Sequence, residues 1–133
     1  MTTTAPAPQL DLVRALFDAV EWLDGEHAAQ SLTDDVTFVF GNQAAVHGRP
    51  DVEKTMVEFL GALGGIRHEI TGLWQADGEP DTVIARMTVH YTRLDGSKID
   101  LPCCNLFRLR DGLVADYRIY MDVNPVFAAA ASA

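Results

Sequence analysis

Cysteine is almost missing from this chain, with Cys103 and Cys104 side by side and no others in 133 residues. Adjacent cysteines have neither the spacing of a metal-ligand pair nor that of an ordinary disulfide. A stapled secreted scaffold is thereby excluded, both side chains are expected as small hydrophobes, and a reduced, cytoplasmic setting is the expectation. Positive charge is also scarce. Ten Lys and Arg face 19 Asp and Glu, for a net charge of −9 and a pI near 4.6. Such a surface repels nucleic acid and anionic lipid, so neither is an expected partner. No run is long and apolar enough to span a bilayer. Residues 1–8 carry no basic residue and no apolar core, which predicts a disordered lead-in rather than a signal peptide. No internal repeat or linker divides the chain, so one domain is expected over 9–127, followed by a flexible Ala-rich tail over 128–133. A chain of this length buries roughly 65–70% of its unfolded surface and needs no staple.

What is present is clear periodicity. Leu12, Val13, Leu16, Phe17, Val20 and Leu23 recur at helical spacing before the stop Asp24-Gly25, which predicts a first amphipathic helix. A short second helix is expected over Glu26 to Leu32, and Val36 to Phe40 has the β-branched and aromatic content of a strand. Pro50 then opens a third helix with Val52, Met56, Phe59, Leu60 and Leu63 as its stripe and Gly64-Gly65 as its stop. Four long strands follow, Arg67 to Gln75, Thr82 to Arg93, Lys98 to Arg110 and Leu113 to Asp122. The connections Asp77-Gly78, Asp95-Gly96 and Asp111-Gly112 are strong hairpin signals, so these strands form an antiparallel meander. Pro102 removes a ladder donor and predicts a bulge or bend.

Alternation divides the strands into unlike faces. On Thr82 to Arg93 one side carries Val83, Ala85, Met87, Val89 and Tyr91, the other Ile84, Arg86, Thr88, His90 and Thr92. On the last strand Arg118, Tyr120 and Asp122 oppose Leu113, Ala115, Tyr117, Ile119 and Met121. Antiparallel sheets commonly turn the polar side to water, and alternation alone gives that orientation here.

The order of elements, Gly48-Arg49-Pro50, Asp111-Gly112-Leu113-Val114 and the closing Tyr120-Met121-Asp122 resemble the SnoaL-like branch of the nuclear transport factor two (NTF2-like) superfamily. The likeness extends over roughly residues 10–127. The last two strands are also similar to limonene epoxide hydrolase. The resemblance implies an α+β, cystatin-like cone, with three N-terminal helices packed on a curved antiparallel sheet whose concave face walls a mostly apolar pocket. It also implies the opposite orientation of the faces. Arg86 and Thr88 fall at an inward Arg-x-Asp pair, so Arg86, Thr88, His90, Tyr120 and Asp122 are expected inside the cone. Val83, Met87, Val89, Tyr91, Tyr117 and Ile119 then form an outer apolar patch covered in a homodimer.

Half of the hydrolase machinery is replaced. Thr88 stands at the second carboxylate, and Phe38 and Phe40 at the Tyr and Asn that would hold a water, so epoxide hydrolysis by that mechanism is expected to be weak or absent. His90 supplies a different acid/base group. The catalytic set expected from the resemblance is Asp122 as base, with His90, Tyr120 and Arg86 stabilising an enolate oxygen. The expected substrate wall comprises Trp22, Phe38, Phe59, Leu63, His68, Ile70, Trp74, Thr88, Leu101, Cys103 and Phe127, with no metal and no cofactor. Three readings stay open. One is cofactor-independent cyclisation, isomerisation or dehydration of an apolar carbonyl-bearing substrate. Another is a non-catalytic domain that shelters a small apolar ligand or dimerises. In the third, Asp122 is simply one half of an ion pair with Arg86 or Arg118.

Overall fold

The structure is a computed structural model and describes residues 7–127. The expected lead-in and tail therefore fall almost wholly outside the described residues. Pro8 is already the first residue of helix α1 (Pro8–Glu21), where its missing N–H costs nothing. Val13, Leu16, Phe17 and Val20 form the buried stripe of α1. Helix α2 is a five-residue turn (Gly25–Ala29), with the Asp24 side chain accepting from the His27 N–H. Helix α3 (Arg49–Gly61) comes only after two strands, β1 (Leu32–Phe40) and β2 (Val46–His47). The architecture is thus α+β, but three full N-terminal helices are not what the chain builds. Leu32 belongs to β1, and α3 stops before Gly64-Gly65, which lie inside the next strand. A Cβ at Gly64 would sit 2.8 Å from the Arg93 carbonyl oxygen, so close strand approach, not helix termination, requires glycine there.

Strands β3 (Leu63–Ala76), β4 (Glu79–Arg93), β5 (Lys98–Arg110) and β6 (Leu113–Tyr120) form the meander, and a one-turn helix α4 (Asn124–Phe127) ends the described chain. The six strands make one curved, open sheet in the order β2-β1-β6-β5-β4-β3, with β1 parallel to β6 and the other pairs antiparallel. The Asp111-Gly112 turn has φ of 54° and 75°, the left-handed pair that a tight hairpin needs.

The helices cover the apolar face, and this overturns the orientation taken from the resemblance. Val83, Ala85, Met87, Val89 and Tyr91 are buried, as are Cys103, Asn105 and Phe107 of β5 and Tyr117 of β6. The polar set of β4 faces outward. The expected outer patch is therefore core, and a dimer through those residues is ruled out. The reason lies in counting. A register taken over from another protein's Arg-x-Asp pair reverses every side chain if it slips by one residue. Alternation alone, with the apolar side toward the helices, describes β4 correctly.

Two local expectations also change. No register shift interrupts β4–β5 at Pro102, which pairs with Thr88. The missing N–H falls on the other edge, beyond the end of β6, whose ladder with β5 begins at Cys104–Tyr120. The irregularity lies instead in β6, where Arg108 pairs with Asp116 and Leu109 with Val114, leaving Ala115 as the extra residue. That bulge resets the phase, so Val114 and Tyr117 are both buried.

Candidate functional site

Between the helices and the concave face lies an apolar cavity. Phe38 and Phe40 from β1, Met56, Phe59 and Leu60 from α3, and Val20 from α1 form much of its wall. Phe127 packs edge-on against Phe40 and Phe59 at ring distances of 6.0 and 5.8 Å, at the cavity's aromatic rim. The cavity has a volume of about 60 Å³. That is room for a few water molecules.

Among the described residues, the polar groups that line the cavity are Thr55, His68, Tyr91, Cys103, Asn105 and Tyr117, and none is an Asp, Glu, Lys or Arg. Burial pushes the Cys103 thiol up to about 12 and raises both tyrosine hydroxyls well above their ordinary range. All three are neutral at physiological pH. The Cys103 thiol donates to Asn105 Oδ1 at 3.0 Å, which engages the amide oxygen and leaves the amide N–H as a donor for a ligand. The Tyr91 hydroxyl donates to Met121 Sδ at 3.8 Å, a weak bond.

His68 is the titrating group of the cavity. Its side chain is 6% exposed, and its ring lies 4.7 Å from that of Phe17. Nδ1 is 3.2 Å from Glu21 Oε2, at the end of α1. A carboxylate only accepts, so Nδ1 carries the proton and Nε2 keeps its lone pair. Burial holds the imidazole below its usual 6.5, although the Glu21 and Asp18 carboxylates pull the other way.

The expected catalytic residues do not converge here. Arg86 is on the outer face, donating from Nε to Thr71 Oγ1 at 3.0 Å and lying 5.3 Å from the Trp74 ring centroid. Thr88 shares that face. His90 is clamped there between Glu69 (Nε2 to Oε1, 2.8 Å) and Asp100 (Nδ1 to Oδ1, 2.7 Å), contacts that raise its pKa. Tyr120 is exposed. Asp122 lies beyond β6 and accepts from the Asn124 N–H at 3.1 Å, at the start of α4. It pairs with neither arginine, since Arg118 is bound to Asp116 at 2.8 Å. Of the expected wall, Phe38, Phe59, His68 and Cys103 line the cavity. Leu63 is core, Leu101 is half-buried, and Trp22, Ile70 and Trp74 are exposed. Glu21 and Asn105 were not anticipated. Asn105 could have been found as the one inward polar position on β5, whereas Glu21 had no signal, because nothing local joins the end of a helix to residue 68.

Among the described residues, no group of three or more His, Cys, Asp or Glu side chains is placed to hold a metal, and no helix is long and apolar enough to cross a membrane. Comparison with known proteins agrees with the architecture. An LEH-like epoxide hydrolase from Mycobacterium tuberculosis superposes with a TM-score of 0.75 at 21% identity, covering 87% of this chain and 84% of the other. A proposed SnoaL-like polyketide cyclase from a Jannaschia species gives 0.76 at 18%, covering 95% and 94%. TerC, co-crystallised with polyporic acid, gives 0.74 at 19%, covering 90% and 95%. At such identities the likeness is one of fold. No functionally curated protein matches the sequence. The sequence profile of the SnoaL-like domain spans residues 13–117, from the buried stripe of α1 to the Tyr117 that floors the cavity, and this chain belongs to the SnoaL-like domain family.

Proposed function

We propose that this chain is a small-molecule enzyme of the SnoaL-like type, performing cofactor-independent acid/base chemistry on a neutral, apolar, carbonyl-bearing substrate in the concave cavity. Isomerisation, dehydration and cyclisation all begin with loss of a proton beside a carbonyl. The observation that carries the reading is the lining: apolar and aromatic walls with a few convergent polar groups, none of them of fixed charge. An ionised substrate would be desolvated there without a counter-charge, so a neutral one is favoured. A two-carboxylate epoxide hydrolysis has no residues in this lining to perform it. Free thiols and the acidic surface fit a cytoplasmic location. The dimer expectation moves to the outer sheet face, where Trp74 and Tyr120 are exposed; sedimentation velocity at micromolar concentration tests it, and a monomer ends it.

A second reading is favoured by one observation, the small free volume. A cavity of about 60 Å³ is close to a packed core, and the same walls could shelter a ligand without turning it over. Binding is tested by titrating the ¹⁵N-labelled protein with 2-indanone, a flat neutral ketone. Amide shifts at Phe38, Phe59, His68 and Asn105 are expected. Shifts confined to the outer face, or none at all, would remove the cavity as the site.

A further inference from the structure

We propose that His68 is the proton-transferring residue of the cavity, that Glu21 positions it from the end of α1, and that the Asn105 amide N–H receives the enolate oxygen. The assignment rests on the acid/base reading of the cavity given above, and it moves the base from the sheet's end, where Asp122 stands, to β3.

The geometry supplies three of the needs of such a step. His68 lines the cavity, and Glu21 takes its Nδ1–H at 3.2 Å, so the basic nitrogen Nε2 is the one left for a substrate. Nothing else in the lining can serve as a base near neutral pH, because the thiol and the tyrosines are held protonated by burial. Asn105 is 2% exposed and lines the same cavity, with its oxygen engaged by the Cys103 thiol. A neutral donor in a cavity walled mostly by apolar side chains is what a developing oxyanion requires.

In the step itself, Nε2 accepts the proton from the carbon beside the carbonyl. The C–H pair becomes the C=C bond of an enolate, and the carbonyl π pair moves to oxygen, where the Asn105 N–H donates to it. The imidazolium faces the Glu21 carboxylate, then returns its proton to the same or to a conjugated carbon. Nothing is oxidised or reduced, and no other reactant is needed. The charged and titratable groups that neighbour His68 or share its cavity are Glu21 and Asp18 of α1, Tyr91 of β4, Cys103 of β5 and Tyr117 of β6. Only the two carboxylates bear charge, and both favour the imidazolium once it forms.

Two measurements test this. Long-range ¹H–¹⁵N correlation of the imidazoles should find His68 protonated at Nδ1 and titrating below 6.5. An Nε2-protonated ring, or titration at or above 6.5, overturns the proposal whatever the substrate. The second is deuterium exchange at the α-carbons of 2-indanone in D₂O. Exchange above buffer should fall by roughly 10²-fold or more in His68→Gln. Glu21→Gln should lower it less and move the acidic limb of its pH profile further down, because Glu21 raises the His68 pKa. Glu21→Asp should restore part of the rate. A merely structural Glu21 would change stability and leave the limb in place. Binding of 2-indanone with exchange unaffected in His68→Gln, or lost in Asp122→Asn instead, overturns the dyad and keeps the cavity as the site. Absence of binding removes the cavity reading and the dyad with it.

Discussion

His68 and His90 sit on paired strands, where His68 lies opposite Val89 and His90 opposite Arg67, yet they experience opposite environments because they point to opposite faces. His68 is buried, with the Glu21 carboxylate in hydrogen-bond reach and Asp18 nearby, and desolvation outweighs both and lowers its pKa. His90 is reached by two carboxylates on an open face, and their hydrogen bonds raise its pKa. The same side chain is thus biased toward its neutral form on one side of a single layer of backbone and toward its cationic form on the other. Burial decides the matter more than the number of acidic neighbours does.

The comparison predicts where the sheet can be changed. Val89→Asp would place a carboxylate without a partner in the concave core, and loss of the cooperative unfolding transition is expected. Thr88→Asp, one residue away and outward, should leave a folded protein. Equal urea midpoints for the two would break the distinction. Phe107→Ala removes a fully buried ring that packs on Phe17 and Tyr117, and should cost about 3–5 kcal/mol by denaturant titration. Asp122→Ala removes a cap rather than a catalytic carboxylate, with an expected cost of about 1 kcal/mol and faster amide exchange confined to α4. Asp122→Asn, which keeps an acceptor, should lie closer to wild type.

The smallest effects are those of pH. For His68 the unfolded chain binds protons more readily than the folded one. Its contribution is whole above about 6.5 and is lost as pH falls through the lower folded value. For His90 the signs reverse, so its contribution is whole below about 6.5 and is lost as pH rises through the higher folded value. His68→Gln should therefore flatten the acidic side of a plot of urea midpoint against pH, and His90→Gln the neutral-to-alkaline side. If both variants flatten the same side, the contrast between the faces fails.

Element types were readable because their signals are local. The stripe of α1, the Asp-Gly turns and the alternation of β4 each involve neighbours in sequence. The facing of the sheet was also readable from alternation, since Val83, Met87 and Val89 admit no other burial. It was lost only when a register was carried over from other proteins by counting. The site was less legible. Phe38, Phe59, His68 and Cys103 could be placed near a pocket from their phase, but the partner of His68 is 47 residues away, and no periodicity encodes that meeting. His90 drew attention because it stands among polar residues on its strand, yet a polar strand face is what water ordinarily selects. The bulge at Ala115 was invisible because either phase of β6 gives a plausible stripe.

The parallel pairing of β1 with β6 also bears on how the molecule comes into being. Leu32 lies beside Val114 and Phe40 beside Ile119, so strands at opposite ends of the domain share one ladder. During synthesis the first strand, carrying Phe38 and Phe40, leaves the ribosome long before its partner. The meander of β3 to β6 can zip hairpin by hairpin, but β1, which has only the two-residue β2 close in sequence, must wait for β6 to pair its other edge. Closing so long a loop is slow, and it leaves apolar surface uncovered meanwhile. The β1 side of the cavity wall, Phe38 and Phe40, is therefore expected to be completed only once β6 is present.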